Sequence, residues 1–559
     1  MNILYALSLF GLTAALAWPL GRYMTWVAGA PIGGRFDRAL SRLLGAKALE
    51  AQSWKSYALS LLVANVLMFV LVYLTLLGQE WLPLNPDQKV GLEPSLAFNT
   101  SASFTSNTNL QHYSGEQSLS YWSQTLGLMW LQFVSAATGL AALSAIARAL
   151  GPTGQIGNFY RDAARVTVLL LLPLAVVLAL ALMVIGVPMT FEGAAVAQTL
   201  EGVTQTIARG PVAAMVAIKQ LGTNGGGYFG PNSTHPLENP SFVGAVLENI
   251  AILLIPMASV WMFGRLIGRL RHAAVVFAVM AALLLGLAVP ALLLEAEPNA
   301  AFVGLGVDQS LGNLEGKELR FGNASGPLWA VSTTATSNGS VSAMHDSLNP
   351  LTGLLPLTGM WMNIVFGGVG VGFINMFLYI VVAVFIAGLM VGRTPEYLGR
   401  KIEAREMKLA ALALLLHPLL ILGGTALFAA TPWGPETIAN PSSHGFSEIL
   451  YEMSSAAANN GSGFEGLGDN TVPWNLSTGL IMLIGRYIPI ILPLAIAGFL
   501  SSKRMLPETT GTFRTDTVLF GLLLIATIIL LGALLFLPAA VLGPIAEHLS
   551  LARAMGVSP

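Results

Sequence analysis

The chain has 559 residues, of which 54% are hydrophobic and only 10% are charged, and its mean hydropathy is +0.69. Such a composition is far from that of a soluble domain and typical of a polytopic membrane protein. The absence of cysteine excludes disulfides, iron–sulfur clusters and thiolate metal sites. The formal net charge of −1 says little by itself, so the distribution of charge along the chain is more informative.

Apolar stretches with almost no charged residues predict ten membrane-spanning helices, because a helix needs about 20 apolar residues to cross the hydrocarbon. The predicted spans are 2–20, 57–79, 124–146, 166–187, 243–263, 273–294, 359–391, 409–430, 475–500 and 517–542. No Lys or Arg precedes the first of them, whereas a secretory signal peptide normally begins with basic residues. We therefore expect the first span to be retained, with its N-terminus outside.

Basic residues collect in alternate connections between the spans. The segments 21–56, 147–165, 264–272, 392–408 and 501–516 hold 20 of the 27 Lys and Arg residues and 8 of the 28 acidic residues. The rest of the chain holds 7 basic and 20 acidic residues. The positive-inside rule places the five basic segments in the cytoplasm, so both termini are predicted outside.

A short polar signature, made of small polar residues and asparagine, occurs four times. Its copies are Ser106, Asn107, Thr108 and Asn109; Thr223, Asn224, Gly225, Gly226 and Gly227; Ser337, Asn338, Gly339 and Ser340; Asn459, Asn460, Gly461 and Ser462. Alignment of Asn107, Asn224, Asn338 and Asn460 gives separations of 117, 114 and 122 residues. A period this long indicates four copies of one structural unit and not a solenoid.

Each copy lies between two apolar spans and follows a short amphipathic segment. Those segments, 96–104, 212–218, 329–334 and 446–453, are predicted pore helices. The predicted fold is therefore an all-α polytopic membrane protein with ten transmembrane helices and four pseudo-symmetric helix–pore-loop–helix repeats. The predicted divisions are an extra helix and loop at 1–56, repeat 1 at 57–150 (loop 105–109), repeat 2 at 151–270 (loop 222–227), repeat 3 at 271–400 (loop 336–340, broken helix 366–373) and repeat 4 with the last helix at 401–559 (loop 458–463).

Two features within the predicted spans are unusual. The 46 residues from Ser347 to Gly392 contain no charge, which is too long for one straight span. In their middle, Gly367, Gly368, Gly370 and Gly372 predict a helix break that forms a gate, although glycines also serve for close helix packing.

Arg486 is a lone charge in the ninth span. An intramembrane charge points to function, the alternative being a side chain that reaches back to the interface.

The polar loops suit a cation that has lost its water. Rings of backbone carbonyls and Ser or Thr hydroxyls replace the hydration shell of a monovalent cation, whereas calcium usually takes carboxylates, which these loops lack. Outer-mouth residues are predicted at Gln111, Glu116, Asp346, Glu465 and Asp469; the acidic ones either concentrate cations or are ordinary solvated charges.

Other kinds of site find little support in the sequence. The seven histidines form no i, i+3 or i, i+4 pair, which argues against a zinc or di-iron site. No nucleotide-binding Gly-x-x-x-x-Gly-Lys motif is present.

The four loops closely resemble those of the potassium-binding A subunit of the Kdp-type potassium-transporting ATPase, in the superfamily of potassium transporters. The resemblance rests on the segments 105–115, 222–239, 336–340 and 458–464 and extends over the full chain. It implies a K⁺ filter at the four loops, with no other cofactor. It also implies a bacterial inner-membrane complex in which a P-type ATPase subunit hydrolyses ATP, two small accessory subunits complete the assembly and no nucleic acid takes part.

Two other functions remain open on the sequence. A self-standing channel or symporter for K⁺ or Na⁺ would use the same four-repeat pore. A transporter for an organic solute is less compatible with four such loops, because transporters of that kind usually place discontinuous helices in two inverted halves.

Overall fold

Ten helices of the described chain are long and apolar enough to cross a membrane, which confirms the predicted number. The computed structural model describes residues 2–29, 33–303, 305–390, 392–507 and 513–554. The helices are span 1 (Asn2–Gly29), span 2 (Trp54–Leu77), span 3 (Ser123–Leu150), span 4 (Phe159–Val184), span 5 (Phe242–Leu266), span 6 (Leu270–Leu294), span 7 (Val371–Met390), span 8 (Ala404–Ala430), span 9 (Val472–Ser501) and span 10 (Val518–Arg553). Several exceed the predicted apolar stretches because the helical backbone continues into the polar ends.

Four shorter helices precede the polar loops. They are pore helix 1 (Pro94–Thr105), pore helix 2 (Val212–Leu221), pore helix 3 (Gly322–Ala335) and pore helix 4 (Ser442–Ala458). Pore helix 1 starts with proline at its first position, and the Glu93 carboxylate caps it by accepting a hydrogen bond from the Leu96 N–H at 2.9 Å. Because spans alternate in direction, all four pore helices lie on one side of the bundle, here called the filter side. The basic connections after spans 1, 3, 5, 7 and 9 lie on the opposite, basic side.

The seventh predicted span is two helices. A half-helix at Pro350–Met362 ends where Asn363 takes a left-handed conformation with φ of 48°, and span 7 begins at Val371. The interruption therefore covers 363–370, starting three residues before the predicted 366–373, and Gly372 lies in the first turn of span 7. An amide side chain at a left-handed C-cap explains why the helix stops before the glycines are reached.

The other regular elements are short. Two-stranded antiparallel pairs form between β1 (Ala195–Gln198) and β2 (Thr204–Ile207), with Ala195 opposite Ile207, and between β3 (Glu396–Tyr397) and β4 (Arg400–Lys401). Short helices occur at Arg35–Leu44, Ala46–Leu49, Gln79–Trp81, Gly115–Ser118, Asn232–Thr234, Ala300–Phe302 and Leu319–Phe321.

Span 1 packs lengthwise against span 5 at the edge of the bundle. A β-carbon on Gly21 would lie 2.6 Å from the Trp261 β-carbon and 2.8 Å from the Ala258 carbonyl oxygen, so the glycine permits close approach. Span 3 and the pore helices, in contrast, are buried almost throughout. The polar loops therefore lie inside a packed core and not at its surface.

Candidate functional site

The four polar loops share one backbone arrangement, which begins where each pore helix ends. Each loop has a middle residue, which is Thr108, Asn224, Asn338 or Asn460. The backbone N–H of this residue donates to the carbonyl oxygen five residues earlier. These bonds join Thr108 to Ser103 (2.9 Å), Asn224 to Lys219 (2.9 Å), Asn338 to Thr333 (2.8 Å) and Asn460 to Ser455 (2.9 Å). This register corrects the alignment made from the sequence, because Thr108 and not Asn107 is the equivalent of the other three asparagines. We call the loops loop 1 (106–109), loop 2 (223–227), loop 3 (337–340) and loop 4 (459–462).

In every loop, the residues on both sides of the middle residue have positive φ. The values are 66° and 56° for Asn107 and Asn109, 46° and 80° for Thr223 and Gly225, 49° and 93° for Ser337 and Gly339, and 53° and 103° for Asn459 and Gly461. Left-handed conformations at residues other than glycine are costly and cluster at ligand sites. Neighbouring structure must therefore hold these loops in place.

The loops contact one another in a closed ring. A β-carbon on Gly225 of loop 2 would collide with the Asn338 carbonyl oxygen of loop 3, one on Gly339 with that of Asn460 in loop 4, and one on Gly461 with that of Thr108 in loop 1. Loop 1 closes the ring, since the Asn224 amide donates to the Asn107 side-chain oxygen at 2.7 Å. Every loop thus touches the next one in sequence, and loop 4 touches loop 1.

The middle residues of the ring have carbonyl oxygens without hydrogen-bond donors. Within the described part of the chain, no N–H or O–H donates to the carbonyls of Thr108, Asn224, Asn338 or Asn460, and all four residues are 0% exposed. Buried backbone carbonyls are almost always paired with protein, water or a ligand. Four unpaired carbonyls at equivalent positions of one ring are therefore free to serve as oxygen ligands.

Loops 3 and 4 are braced in the same way. The Asn338 amide donates to the Lys219 carbonyl at 3.0 Å, and the Asn460 amide donates to the Thr333 carbonyl at 2.9 Å, so each loop is tied to the pore helix before it in the ring. Each asparagine oxygen also accepts the N–H of the serine two residues on, at 2.9 Å for Ser340 and 3.0 Å for Ser462. In both loops the middle asparagine therefore links its own loop to the backbone of the preceding pore helix.

Loops 1 and 2 depend on span 3 instead. The Gln132 amide donates to the Asn109 side-chain oxygen at 3.0 Å and to the Gly226 carbonyl at 3.1 Å. The Ser135 hydroxyl donates to the Asn107 side-chain oxygen at 2.8 Å. Neither span 3 residue was predicted to belong to the site. The signal available in the sequence was their polarity within an otherwise apolar span.

A buried ionic network lies behind loop 2. The Lys219 ammonium group is fully buried and contacts the Glu238 carboxylate, the Asn232 side-chain oxygen at 2.7 Å and the Ser233 hydroxyl at 2.8 Å. The Asn232 amide in turn donates to the Gly225 carbonyl at 2.6 Å. Removing one member of such a pair would leave an unpaired buried charge, which costs several kcal/mol. Lys219 was missed from the sequence, although it is the only charge in its pore helix.

The five residues predicted at the mouth lie at three positions on the filter side: beside loop 2, where Asp346 and Glu465 meet, and beside His112. Gln111 clamps loop 2, since its oxygen accepts the Gly227 N–H at 2.8 Å and its amide donates to the Gly227 carbonyl at 3.1 Å. Glu116 accepts the Gly230 N–H at 2.8 Å, just beyond loop 2. Glu465 accepts the Asp346 N–H at 3.2 Å, and Asp469 lies near loop 4, 3.8 Å from the His112 ring. The structure thus gives several of them bracing contacts.

His444, at the start of pore helix 4, connects the mouth to the end of the chain. Its ring nitrogens lie 2.8 Å from Asp346 and 2.8 Å from Glu547. Burial lowers the pKa of His444, but the hydrogen bonds and charges of these two carboxylates more than offset it and raise the pKa to about 10. His444 is therefore a cation at neutral pH and holds two anionic groups together.

The interruption at 363–370 lies directly against loops 2 and 3. The Gly368 N–H donates to the Thr336 carbonyl at 2.6 Å, and the Val369 N–H donates to the Thr223 hydroxyl at 2.8 Å. The Asn363 side chain accepts from the Ser337 hydroxyl at 2.8 Å. β-Carbons on Gly370 and Gly372 would collide with the carbonyls of Gly139 and Gly367 respectively, so neither position has room for a side chain.

Arg486 in span 9 is buried close to both the interruption and loop 1. Its guanidinium donates to the Ser135 carbonyl at 3.2 Å. A β-carbon on Gly139 would lie 3.2 Å from the same guanidinium, and it would collide with the Val369 carbonyl of the interruption. Within the described residues Arg486 has no ion pair. Its charge therefore remains uncompensated by any carboxylate there.

Comparison with known families agrees with this geometry. The family model described as KdpA, the potassium-transporting ATPase A subunit, matches residues 7–549, which is nearly the whole chain. The resemblance found in the four loops is thereby confirmed, and with it a role in potassium transport. We conclude that this multi-pass membrane protein belongs to the KdpA family and is a potassium-transport subunit of the Kdp ATPase.

Proposed function

We propose that this chain selects potassium in the ring of four loops and passes the ion to the P-type ATPase catalytic subunit, which supplies the energy of ATP hydrolysis. The observation that carries this proposal is the set of four buried, unpaired carbonyl oxygens at Thr108, Asn224, Asn338 and Asn460. Oxygen ligands without charge suit a dehydrated monovalent cation. The chain itself has no catalytic residue in this proposal.

The pore helices add to this preference. Each of them ends at its loop, so the partial negative charge of its C-terminus faces the ring. The loops themselves carry no carboxylate, and the nearby acids, including Glu116 and Asp469, lie around them. Such an arrangement raises the local concentration of cations without binding a divalent ion tightly inside the ring.

The region beneath the ring would prevent a leak. The interruption at 363–370, with Gly367, Gly368 and Gly370, covers the loops from the basic side and acts as the gate. Arg486 adds a fixed positive charge there and opposes a cation moving straight on. A cleft beside the interruption is lined by Asn363, Asn375, Tyr379, His417 and Phe536. This cleft supports a sideways exit toward the catalytic subunit.

The charge distribution supports an orientation in which the basic connections face the cytoplasm and the filter side and both termini face the periplasm. A bacterial inner membrane is what the family implies for this location. Two small accessory subunits complete the assembly with the catalytic subunit and the lipid membrane.

The decisive experiment uses the complete complex reconstituted in proteoliposomes, with K⁺ flux measured with and without ATP. We expect K⁺ uptake only when ATP is present. Other monovalent cations should compete with K⁺ weakly at most. A deletion of 367–369 should allow flux without ATP. Flux without ATP in the unmodified complex would favour the self-standing channel or symporter, whereas a tight and active deletion variant would make the glycines packing residues and not a gate.

A further inference from the structure

A second group of side chains with ligand chemistry lies beside the ring, on the filter side. His112 follows loop 1, Glu452 belongs to pore helix 4, and Asp469 follows loop 4. The His112 Nε2 atom lies 3.2 Å from the Glu452 carboxylate and 3.8 Å from the Asp469 carboxylate. One ligand atom from each of the three residues lies within 4.8 Å of the other two. The three groups therefore converge on a common point.

The orientation of His112 follows from its neighbour Asn475. The Asn475 amide nitrogen donates to the Ser95 hydroxyl at 3.1 Å and to the Asn470 side-chain oxygen at 3.2 Å. Its side-chain oxygen, which can only accept, must then face the His112 Nδ1 atom at 2.7 Å. Nδ1 thus donates to Asn475, and Nε2, which faces the two carboxylates, is the nitrogen that would release its proton to bind a metal ion. A ring oriented in this way by a second partner is characteristic of metal-binding histidines.

The carboxylates are poorly satisfied by the protein alone. Glu452 has a side chain only 1% exposed, and His112 is its single hydrogen-bond partner among the described residues. Buried carboxylates normally have several donors or a cation. Asp469, whose side chain is 25% exposed, lies at the edge of the group and gives access from the filter side.

We propose that His112, Glu452 and Asp469 form a binding site for a divalent transition-metal ion, with Zn²⁺ as the best match. One imidazole nitrogen and two carboxylate oxygens are typical zinc ligands, and a water molecule would complete four-coordination. Calcium and magnesium prefer oxygen ligands throughout, so the imidazole argues against them. Tetrahedral zinc bonds of about 2.0–2.2 Å place ligand atoms about 3.3–3.6 Å apart. The separations of 3.2 and 3.8 Å found here are close to that distance, so small side-chain movements would be enough to surround an ion.

A second histidine and carboxylate group provides a contrast within the same chain. Asp346, His444 and Glu448 also lie close together. Both His444 nitrogens are already engaged by carboxylates, at 2.8 Å each. Glu448 accepts from the N–H groups of Ala439 and Asn440 and from the Asn440 amide, at 2.9, 3.0 and 3.1 Å. This group is saturated by protein contacts and serves as the matched control.

A metal ion in the proposed site would act on potassium entry. Glu452 lies one helical turn before Ser455, whose hydroxyl oxygen accepts the Gly461 N–H of loop 4 at 2.9 Å. Two added positive charges at this position would oppose a monovalent cation approaching the ring. We therefore expect Zn²⁺ added on the filter side to reduce potassium uptake.

The test measures metal binding directly in the purified complete complex. Titration calorimetry with ZnCl₂ and zinc-edge X-ray absorption are carried out on the unmodified complex and on His112→Gln, Glu452→Gln, Asp469→Asn and the control His444→Gln. We expect one site with a single imidazole ligand and oxygen ligands. Each of the first three variants should lower zinc affinity at least about ten-fold, and His444→Gln should not.

Three results would overturn the site: no zinc bound by the unmodified complex, a bound zinc without imidazole, or unchanged affinity in His112→Gln. Asp469→Asn changes a partly exposed side chain, so it keeps the proposal testable if the buried variants do not assemble. Because binding is measured without potassium transport, failure of this site is distinguishable from failure of the proposed potassium filter.

Discussion

The two halves of the ring reach the same backbone by different means. In loops 3 and 4, glycine follows the middle asparagine, and the asparagine side chains of both loops make equivalent bonds to the preceding pore helix. In loop 1 the corresponding position is Asn109, which is left-handed with φ of 56° and carries a side chain. Its β-carbon fits because Gly226 of loop 2 is opposite it. Pseudo-fourfold symmetry thus holds for the backbone, whereas the side chains that stabilise it are particular to each half.

The largest effect is expected at the glycines of loops 3 and 4. Gly339→Ala places a β-carbon against the Asn460 carbonyl at a residue with φ of 93°. Left-handed strain alone is about 1–2 kcal/mol, and with the collision we expect potassium affinity to fall at least about 30-fold. Binding to the purified complex is measured beside Gly286→Ala, since no atom lies within 4 Å of that added β-carbon. Equal affinity in both variants would remove loop 3 from the filter.

Gly226→Asp tests the special pairing of loops 1 and 2. The new β-carbon would lie 2.7 Å from that of Asn109 and 2.8 Å from the Phe104 ring, so loop 1 must shift. We expect affinity to fall about ten-fold with weaker discrimination against other monovalent cations. Adding Asn109→Gly removes one colliding side chain and should restore part of the affinity. If the double variant is no better than the single one, the collision is not the cause.

Arg486 lies beside the half of the ring that depends on span 3. Burying its charge at mid-membrane costs about 2.5–3.5 kcal/mol, which points to a role for the charge. Arg486→Lys keeps the charge and should retain more transport than Arg486→Met, by a factor of several. Uptake and potassium-stimulated ATP hydrolysis are measured for both variants. Parental behaviour of the methionine variant would show that the charge has no role in transport.

The smallest effect concerns the ion pairs outside the ring. The pKa of His444 is raised from 6.5 to about 10, so its stabilisation is complete below pH 6.5 and is lost as pH rises through about 10. The melting temperature of the complex should therefore fall between pH 7 and 10.5, and it should fall less in His444→Gln. Parallel pH profiles would mean that His444 does not link Asp346 to Glu547 in solution. Unlike the loop variants, this one should leave ion preference unchanged.

The sequence by itself determined the membrane class, the ten spans, the four polar loops and the family. These follow from apolar length, charge distribution and short motifs, which are local properties of the chain. The division into repeats and the roles of the loop residues, the gate and Arg486 stay predictions, although the loops do lie together at the centre of the bundle.

Only the tertiary structure decided the register of loop 1, the dependence of loops 1 and 2 on Gln132 and Ser135, and the group around His112. Spacing along the chain argued against a zinc site, since no two histidines share a helix face. His112 and Glu452 are 340 residues apart and meet because loops 1 and 4 close the ring. Contacts of this kind depend on how whole helices pack, so no local pattern in the sequence predicts them.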